Sequence, residues 1–129
     1  MRKRYGLEIL RQMKKIDKDL DNAWSLKVKE LAGFKCEYCQ KTSPLNSHHV
    51  YSRSKLSTRW DLDNGVCLCV GHHTFSSTFS AHKCPLEFTE WIINYRGAEW
   101  YDNLRLKAHQ TIKLHDHEKK ELLIKIKEA

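Results

Sequence analysis

Cys36-Glu37-Tyr38-Cys39, Ser47-His48-His49-Val50 and Asp63-Asn64-Gly65-Val66-Cys67-Leu68-Cys69-Val70-Gly71-His72-His73 crowd four cysteines and four histidines into one short span of a 129-residue chain. Thiolates and imidazoles at such spacings are the ligands of tetrahedral zinc. The C-x-x-C step lets both sulfurs of Cys36 and Cys39 converge on one ion. Cys69-Val70-Gly71-His72 repeats the two-residue gap, with the glycine easing the turn, so the two pairs together predict a closed structural site of Cys36, Cys39, Cys69 and His72. Cys67 lies two residues before Cys69, on the same face of a predicted strand, and could take its place; the spacing to His72 favours Cys69. Otherwise Cys67, like Cys84, reads as a small buried apolar residue.

The size of the chain suits one domain with a modest core, for which a metal staple is an expected support. Five cysteines are an odd number, and the basic start MRKRYG is not followed by an apolar signal segment. No run approaches the roughly 18 apolar residues that span a bilayer. The expected setting is therefore intracellular, where clustered thiols bind metal more often than they form disulfides. The 23 basic residues exceed the 16 acidic ones, and residues 1–35 hold ten basic against five acidic side chains, while residues 83–112 hold four of each. The N-terminal part is the expected polyanion-facing arm, with a solvated lysine-rich helix as the alternative.

Periodicity predicts helix over residues 3–31 in two pieces, the second capped by Asp21 or Asn22 and carrying Trp24, Val28 and Leu31, with Gly33 as the stop. Strands are expected at Asn46–Tyr51 and Gly65–Cys69, and helical patterning resumes after His73. Pro85 is placed as the first residue of a helix bearing Leu86, Phe88, Trp91, Ile92 and Tyr95, ended by Gly97. Further helices are expected from Ala98 to about His109 and from Asp116 to Lys127, with Leu122, Leu123 and Ile126 inward. The four tryptophans read as core, Trp60 being the one that could lie near a nucleic acid. His109, His115 and His117 read as solvent-facing.

With His72 assigned to zinc, His48-His49, Asn64 and His73 remain, in that order, and at these residues the chain resembles the HNH endonucleases of the ββα-metal class. Within that family it is most similar to small phage-encoded HNH proteins and the lambdoid NinG/Rap recombination-nuclease group. There the asparagine is followed five, eight and nine residues on by a zinc cysteine, its partner and a metal histidine, the register kept by Asn64, Cys69, His72 and His73. The resemblance covers about residues 21–105 and extends to Trp24 before the C-x-x-C, Arg53 and Arg59-Trp60 in the loop, and Pro85-Leu86-Glu87-Phe88 after the core.

The resemblance implies an α+β fold, a ββα-metal core with a zinc knuckle flanked by N- and C-terminal helices. The single domain 1–129 divides into a helical arm 1–33, a zinc-stapled core 34–82 and C-terminal helices 83–129. It further implies that His49 is the general base, that His48 and His73 hold one divalent ion, and that Asn64 pins the loop between the strands and orients the base. Using both His48 and His49 would require a twist or bulge, because neighbouring strand residues point to opposite faces. Many family members carry aspartate where His48 stands, and the imidazole favours Mn²⁺, Ni²⁺, Co²⁺ or Zn²⁺ more than Mg²⁺. Many also carry a metal histidine four residues after the first, where this chain has Ser77; His82 could substitute if the chain folds back before Pro85. Arg53, Lys55 and Arg59 are candidate phosphate contacts on the inter-strand loop, with a solvated loop as the alternative.

The implied activity is metal-dependent hydrolysis of DNA phosphodiester bonds, by nicking or double-strand cleavage, to 5′-phosphate and 3′-hydroxyl ends. The expected cofactors are a structural Zn²⁺ and one catalytic divalent cation. The expected partner is DNA, with a second copy of the chain or a phage packaging or recombination protein as further candidates. Cleavage of branched DNA is the narrower version of this expectation. Its rival is a non-catalytic zinc module that binds nucleic acid or a phage assembly partner.

Overall fold

The computed structural model describes the backbone of residues 2–129 and the side chains of residues 6–12 and 14–129. The first helix, α1, runs unbroken over Arg2–Leu31, not in two pieces. It contains no proline, and the expected cap, Asp21, turns its carboxylate away from its own backbone to accept from Arg59 Nε and Nη2, Arg53 Nη2 and Trp60 Nε1. Leu20, Trp24 and Val28, spaced four apart, form the buried stripe. Gly33, at φ +68°, ends the helix, and the Phe34 N–H reaches back to the Lys29 carbonyl.

Two antiparallel strands follow, β1 (Leu45–His49) and β2 (Gly65–Cys69), paired without a bulge from Leu45 opposite Cys69 to His49 opposite Gly65. β1 stops two residues earlier than the sequence suggests. Asn64 is the cause: its carbonyl still accepts from Val50 N as a last rung, but its side chain takes both Tyr51 N and the Tyr51 carbonyl, and strand pairing goes no further. The long connection carries the short helix α2 (Leu56–Arg59) and a 3₁₀ turn, Leu62–Asn64.

β2 is buried along its whole length and separates two clusters. Val66 and Leu68 meet Phe88 and Ile92 on one side, while Cys67 meets Leu20, Trp24 and Val28 on the other. Cys69 belongs with the first cluster, so Cys67 and Cys69 do not share a face as strand alternation predicts. Cys69 is the last strand residue and Val70 is already helical (φ −54°, ψ −39°), which rotates the end of the strand. Gly65 is required where β2 begins, because a Cβ there would collide with Val28 Cγ2 and lie 2.9 Å from Trp24 Cζ2.

After β2 the chain makes only a five-residue π-helical turn, Gly71–Phe75, rather than a regular helix. Ser76 ends it: its hydroxyl accepts from Thr78 N and Phe79 N, drawing the backbone into turns. Helices α3 (Pro85–Arg96), α4 (Ala98–Ala108) and α5 (Asp116–Glu128) complete the chain. α3 covers one face of the hairpin and α1 the other, with Ile126 of α5 buried against α1. The result is a helix–sheet–helix sandwich of mixed α and β type. No helix among the described residues is long and apolar enough to cross a membrane.

Asp21 ties α1 to the inter-strand loop. Burial pushes its carboxyl up from 3.8, but the hydrogen bonds from Arg59 and Trp60 and the charges of Arg59 and Arg53 outweigh that and hold it below. A carboxyl depressed on folding stabilises fully above its unfolded pKa, and that contribution is lost as pH falls through the folded value. Asp21→Asn is expected to lower the unfolding free energy by about 2 kcal/mol at pH 7. In urea titrations the gap between wild type and variant should narrow as the pH drops below 3.8; a gap independent of pH would show that the carboxylate charge contributes nothing.

Candidate metal centres and active-site cavity

The C-x-x-C knuckle is built by two backbone hydrogen bonds, Cys36 N to the Lys41 carbonyl and Gln40 N to the Cys36 carbonyl, with Gln40 in the left-handed region at φ +67°. Glu37, inside the knuckle, accepts from Cys67 N at 2.7 Å and from Arg96 Nη2 at 3.1 Å, which clamps the turn to β2 and α3. Burial raises the Cys36 thiol, but the backbone N–H groups of Cys69, Cys39 and Tyr38 aimed at its sulfur outweigh this and hold it below its usual 9.0.

The ligand atoms of Cys36, Cys39, Cys69 and His72 all lie within 4.8 Å of one another. Cys39 Sγ is 3.8 Å from Cys69 Sγ, and His72 Nδ1 is 3.3 Å from Cys69 Sγ and 3.9 Å from Cys36 Sγ. A zinc tetrahedron with the usual bond lengths has S–S edges of about 3.8 Å and S–N edges of about 3.5 Å. The cluster therefore fits a metal ion such as zinc. Tyr38, stacked on Phe79 at 3.9 Å and edge-on to His72 at 4.7 Å, walls one side. Cys67 stays outside the cluster, fully buried, and burial pushes its thiol up to about 11.

His48 and His49 obey strand alternation and need no bulge. His48 faces Phe88, His73 and His82, with ring centroids 5.1–5.2 Å away, while His49 stacks on Trp24 at 3.9 Å. Both nevertheless line one cavity of about 520 Å³, together with Arg53, His73, His82, Thr89 and Tyr101, because His49 is the last residue of β1 and the hairpin is open at that end.

His48, His73 and His82 form a second set whose ring nitrogens lie within 4.8 Å of one another. The chain does fold back before Pro85: Ala81 N and His82 N bond the carbonyls of His72 and His73, which carries His82 into the place that Ser77 leaves open. His73 Nε2 and His82 Nε2 are 3.0 Å apart, close to the cis N–N separation of about 2.9 Å in an octahedral site with N–metal bonds of 2.0–2.1 Å. Burial foremost, then the neighbouring histidines, drives His48 down to about 3, and burial and His82 lower His73. The neutral imidazole is the form that ligates a cation, so the lowering at His48 and His73 favours a ligand role.

His49 Nε2 lies 2.9 Å from the Arg59 carbonyl. A carbonyl only accepts, so Nε2 carries the hydrogen and the lone pair resides on Nδ1. Burial lowers the His49 pKa, against the opposing effects of the Arg59 carbonyl and Asp21. Asn64 is fully buried; its Nδ2 donates to the carbonyls of Tyr51 and Thr58 at 3.0 Å, and its Oδ1 accepts from Tyr51 N at 2.7 Å. The Thr58 carbonyl it grips is adjacent in sequence to the Arg59 carbonyl that holds His49.

The three loop cations are placed differently. Arg59, one-fifth exposed, spends both Nε and Nη2 on Asp21. Arg53 is two-thirds exposed, touches Asp21 with Nη2 alone and lines the cavity. Lys55 is exposed and precedes α2. Trp60 lies in the core, as read from the sequence, 2% exposed and donating to Asp21. Asp21 and Trp24 are the positioning residues that the sequence reading left without a role at the site. Their signal is an aspartate three residues before a tryptophan on the apolar stripe of α1, where an acid needs a partner.

Comparison of the chain with protein-family models, curated proteins and solved structures gives no match.

Two outcomes follow from this geometry. Cys39→Ser is expected to release the ion of the Cys3His cluster and lower the melting temperature by roughly 10 °C or more, measured by metal analysis and thermal unfolding; retention of full zinc content would remove Cys39 from the ligand set. Asn64→Ala strips partners from one buried and two partly buried backbone groups and is expected to cost about 3 kcal/mol in chemical denaturation.

Proposed function

We propose that this protein is a metal-dependent DNA endonuclease. The observation that carries the reading is the juxtaposition, in one cavity, of His49, with Nε2 held on the Arg59 carbonyl, and the three-histidine set His48, His73 and His82. Phosphodiester hydrolysis requires a base for the attacking water and positive charge beside the scissile phosphate and departing 3′ oxygen. His49 Nδ1 is the proton acceptor, and stacking on Trp24 together with the Arg59 carbonyl holds the ring in one orientation and tautomer. Asn64 holds the loop that presents that carbonyl, a positioning role.

His48, His73 and His82 would hold a divalent cation, which when bound supplies charge neutralisation at the phosphate and the leaving oxygen. An all-imidazole set favours Mn²⁺, Co²⁺, Ni²⁺ or Zn²⁺ over Mg²⁺. Arg53, exposed at the cavity wall, is the candidate for a non-bridging phosphate oxygen. The Cys3His cluster has four protein ligands and so no open position; its part is to hold the knuckle, β2 and the turn that bears His73.

The test is plasmid nicking across a divalent-ion series. The wild type should nick with Mn²⁺ or Co²⁺ and lose activity with chelator. His49→Ala should lose about 10²- to 10⁴-fold in rate while keeping its zinc content and melting temperature. Equal nicking by wild type and His49→Ala would overturn the assignment of His49, and no cleavage under any ion would leave a nucleic-acid-binding zinc module in place of the enzyme.

A further inference from the structure

N-terminal to Ile16, α1 leaves the body of the protein, with residues 6–12, 14 and 15 all exposed. At about 100° per residue, Lys18, Lys14 and Arg11 lie within about 80° of the direction of Asp21, on one stripe of the helix. That stripe runs to the cavity: Asp21 is bonded to Arg53, which lines the cavity wall. The acidic residues of this face are already occupied, Asp17 by Lys119 at 2.7 Å and Asp21 by Arg59 and Arg53. The other acids of this half of the helix, Glu8 and Asp19, point about 140° and 160° away from Asp21. Among the described residues Lys14 and Lys18 make no ion pair, and Arg11 only approaches Glu8 at 4.0 Å with both side chains largely exposed, a contact of little energetic weight.

We propose that the Arg11–Lys14–Lys18 stripe of α1 is a duplex-DNA contact that tracks the phosphate backbone leading to the histidine cavity. The partner follows from charge: three exposed, unneutralised cations in line with Arg53 complement a polyanion, and the neighbouring acids are either paired or turned away. The scale also agrees. Arg11 and Lys18 are about 10.5 Å apart along the helix axis, and one DNA strand places a phosphate every 3.4 Å or so of axial rise, so three cations span about three phosphates. Contacts of this kind fix the register of a duplex and read no sequence. Exposed Leu7 and Leu10 lie on the same side of the helix, which makes pairing of two copies through this face the competing outcome.

The inference rests on DNA being the substrate, and binding is measured apart from cleavage so that the two can fail separately. Fluorescence anisotropy on a short duplex, with the full chain in a His49→Ala background, compares Arg11, Lys14 and Lys18 intact with all three changed to glutamine. Circular dichroism reports whether α1 is retained. The triple variant should bind more weakly, and the slope of log affinity against log salt should fall in magnitude by up to about 2.7, at about 0.9 per phosphate. The affinity gap should then shrink about fortyfold between 50 and 200 mM salt. An unchanged slope and affinity would overturn the proposal. So would an unchanged slope accompanied by a fall in sedimentation mass, which would assign the face to a second copy. Strong salt-dependent binding lost in the triple variant, with no nicking by the wild type, would uphold the arm and overturn only the nuclease.

Discussion

Cys36 and Cys39 precede Cys69 and His72 by about thirty residues, yet their four ligand atoms share a space no wider than 4.8 Å. That convergence is the constraint on which the other arrangements depend. It fastens the knuckle after α1 to the far end of β2, and His72 hands the chain directly to His73. Thiolates at that spacing repel one another, so a cation at their centre removes a penalty as well as adding bonds. With β2 fixed at its Cys69 end, the hairpin register places His48 opposite Val66 and His49 opposite Gly65.

A second lock works from the other end of the hairpin. Asn64 replaces three backbone partners that the loop would otherwise leave unpaired in the interior, and Asp21 gathers Arg53, Arg59 and Trp60 onto α1. Between them they fix the Arg59 carbonyl, which in turn fixes the tautomer of His49. The two locks explain how adjacent histidines on a regular strand serve one cavity. His48 looks towards the turn that the Cys3His cluster anchors, and His49 towards the helix that Asp21 anchors.

The spacing of the cysteines was enough to read the four-ligand set and the hairpin behind it, because ligand geometry tolerates few spacings. Pro85 and Gly97 marked the bounds of α3 for equally local reasons. What the sequence hid was non-local. The unity of α1 depends on Asp21 finding partners 32, 38 and 39 residues away, so a residue that looks like a helix cap became a tertiary tie. The π turn after β2 arises from Ser76 competing for backbone amides, whereas the apolar pattern alone suggested a regular helix. His82 enters the histidine set only because that turn is short enough for the chain to double back.

Two clusters with different donors divide the histidines, His72 going with the thiolates and His48, His73 and His82 standing apart, so the chain would bind two cations of distinct character. Cobalt(II) titration of the metal-free chain tests this most directly, since thiolate and imidazole ligation give different absorption. The first equivalent should show the thiolate charge-transfer band and tetrahedral ligand-field spectrum of a Cys3His site, and a second should add a spectrum without sulfur. In His73→Ala the first should persist and the second should be lost. Loss of the thiolate band in His73→Ala, or a single equivalent bound by wild type, would contradict the account.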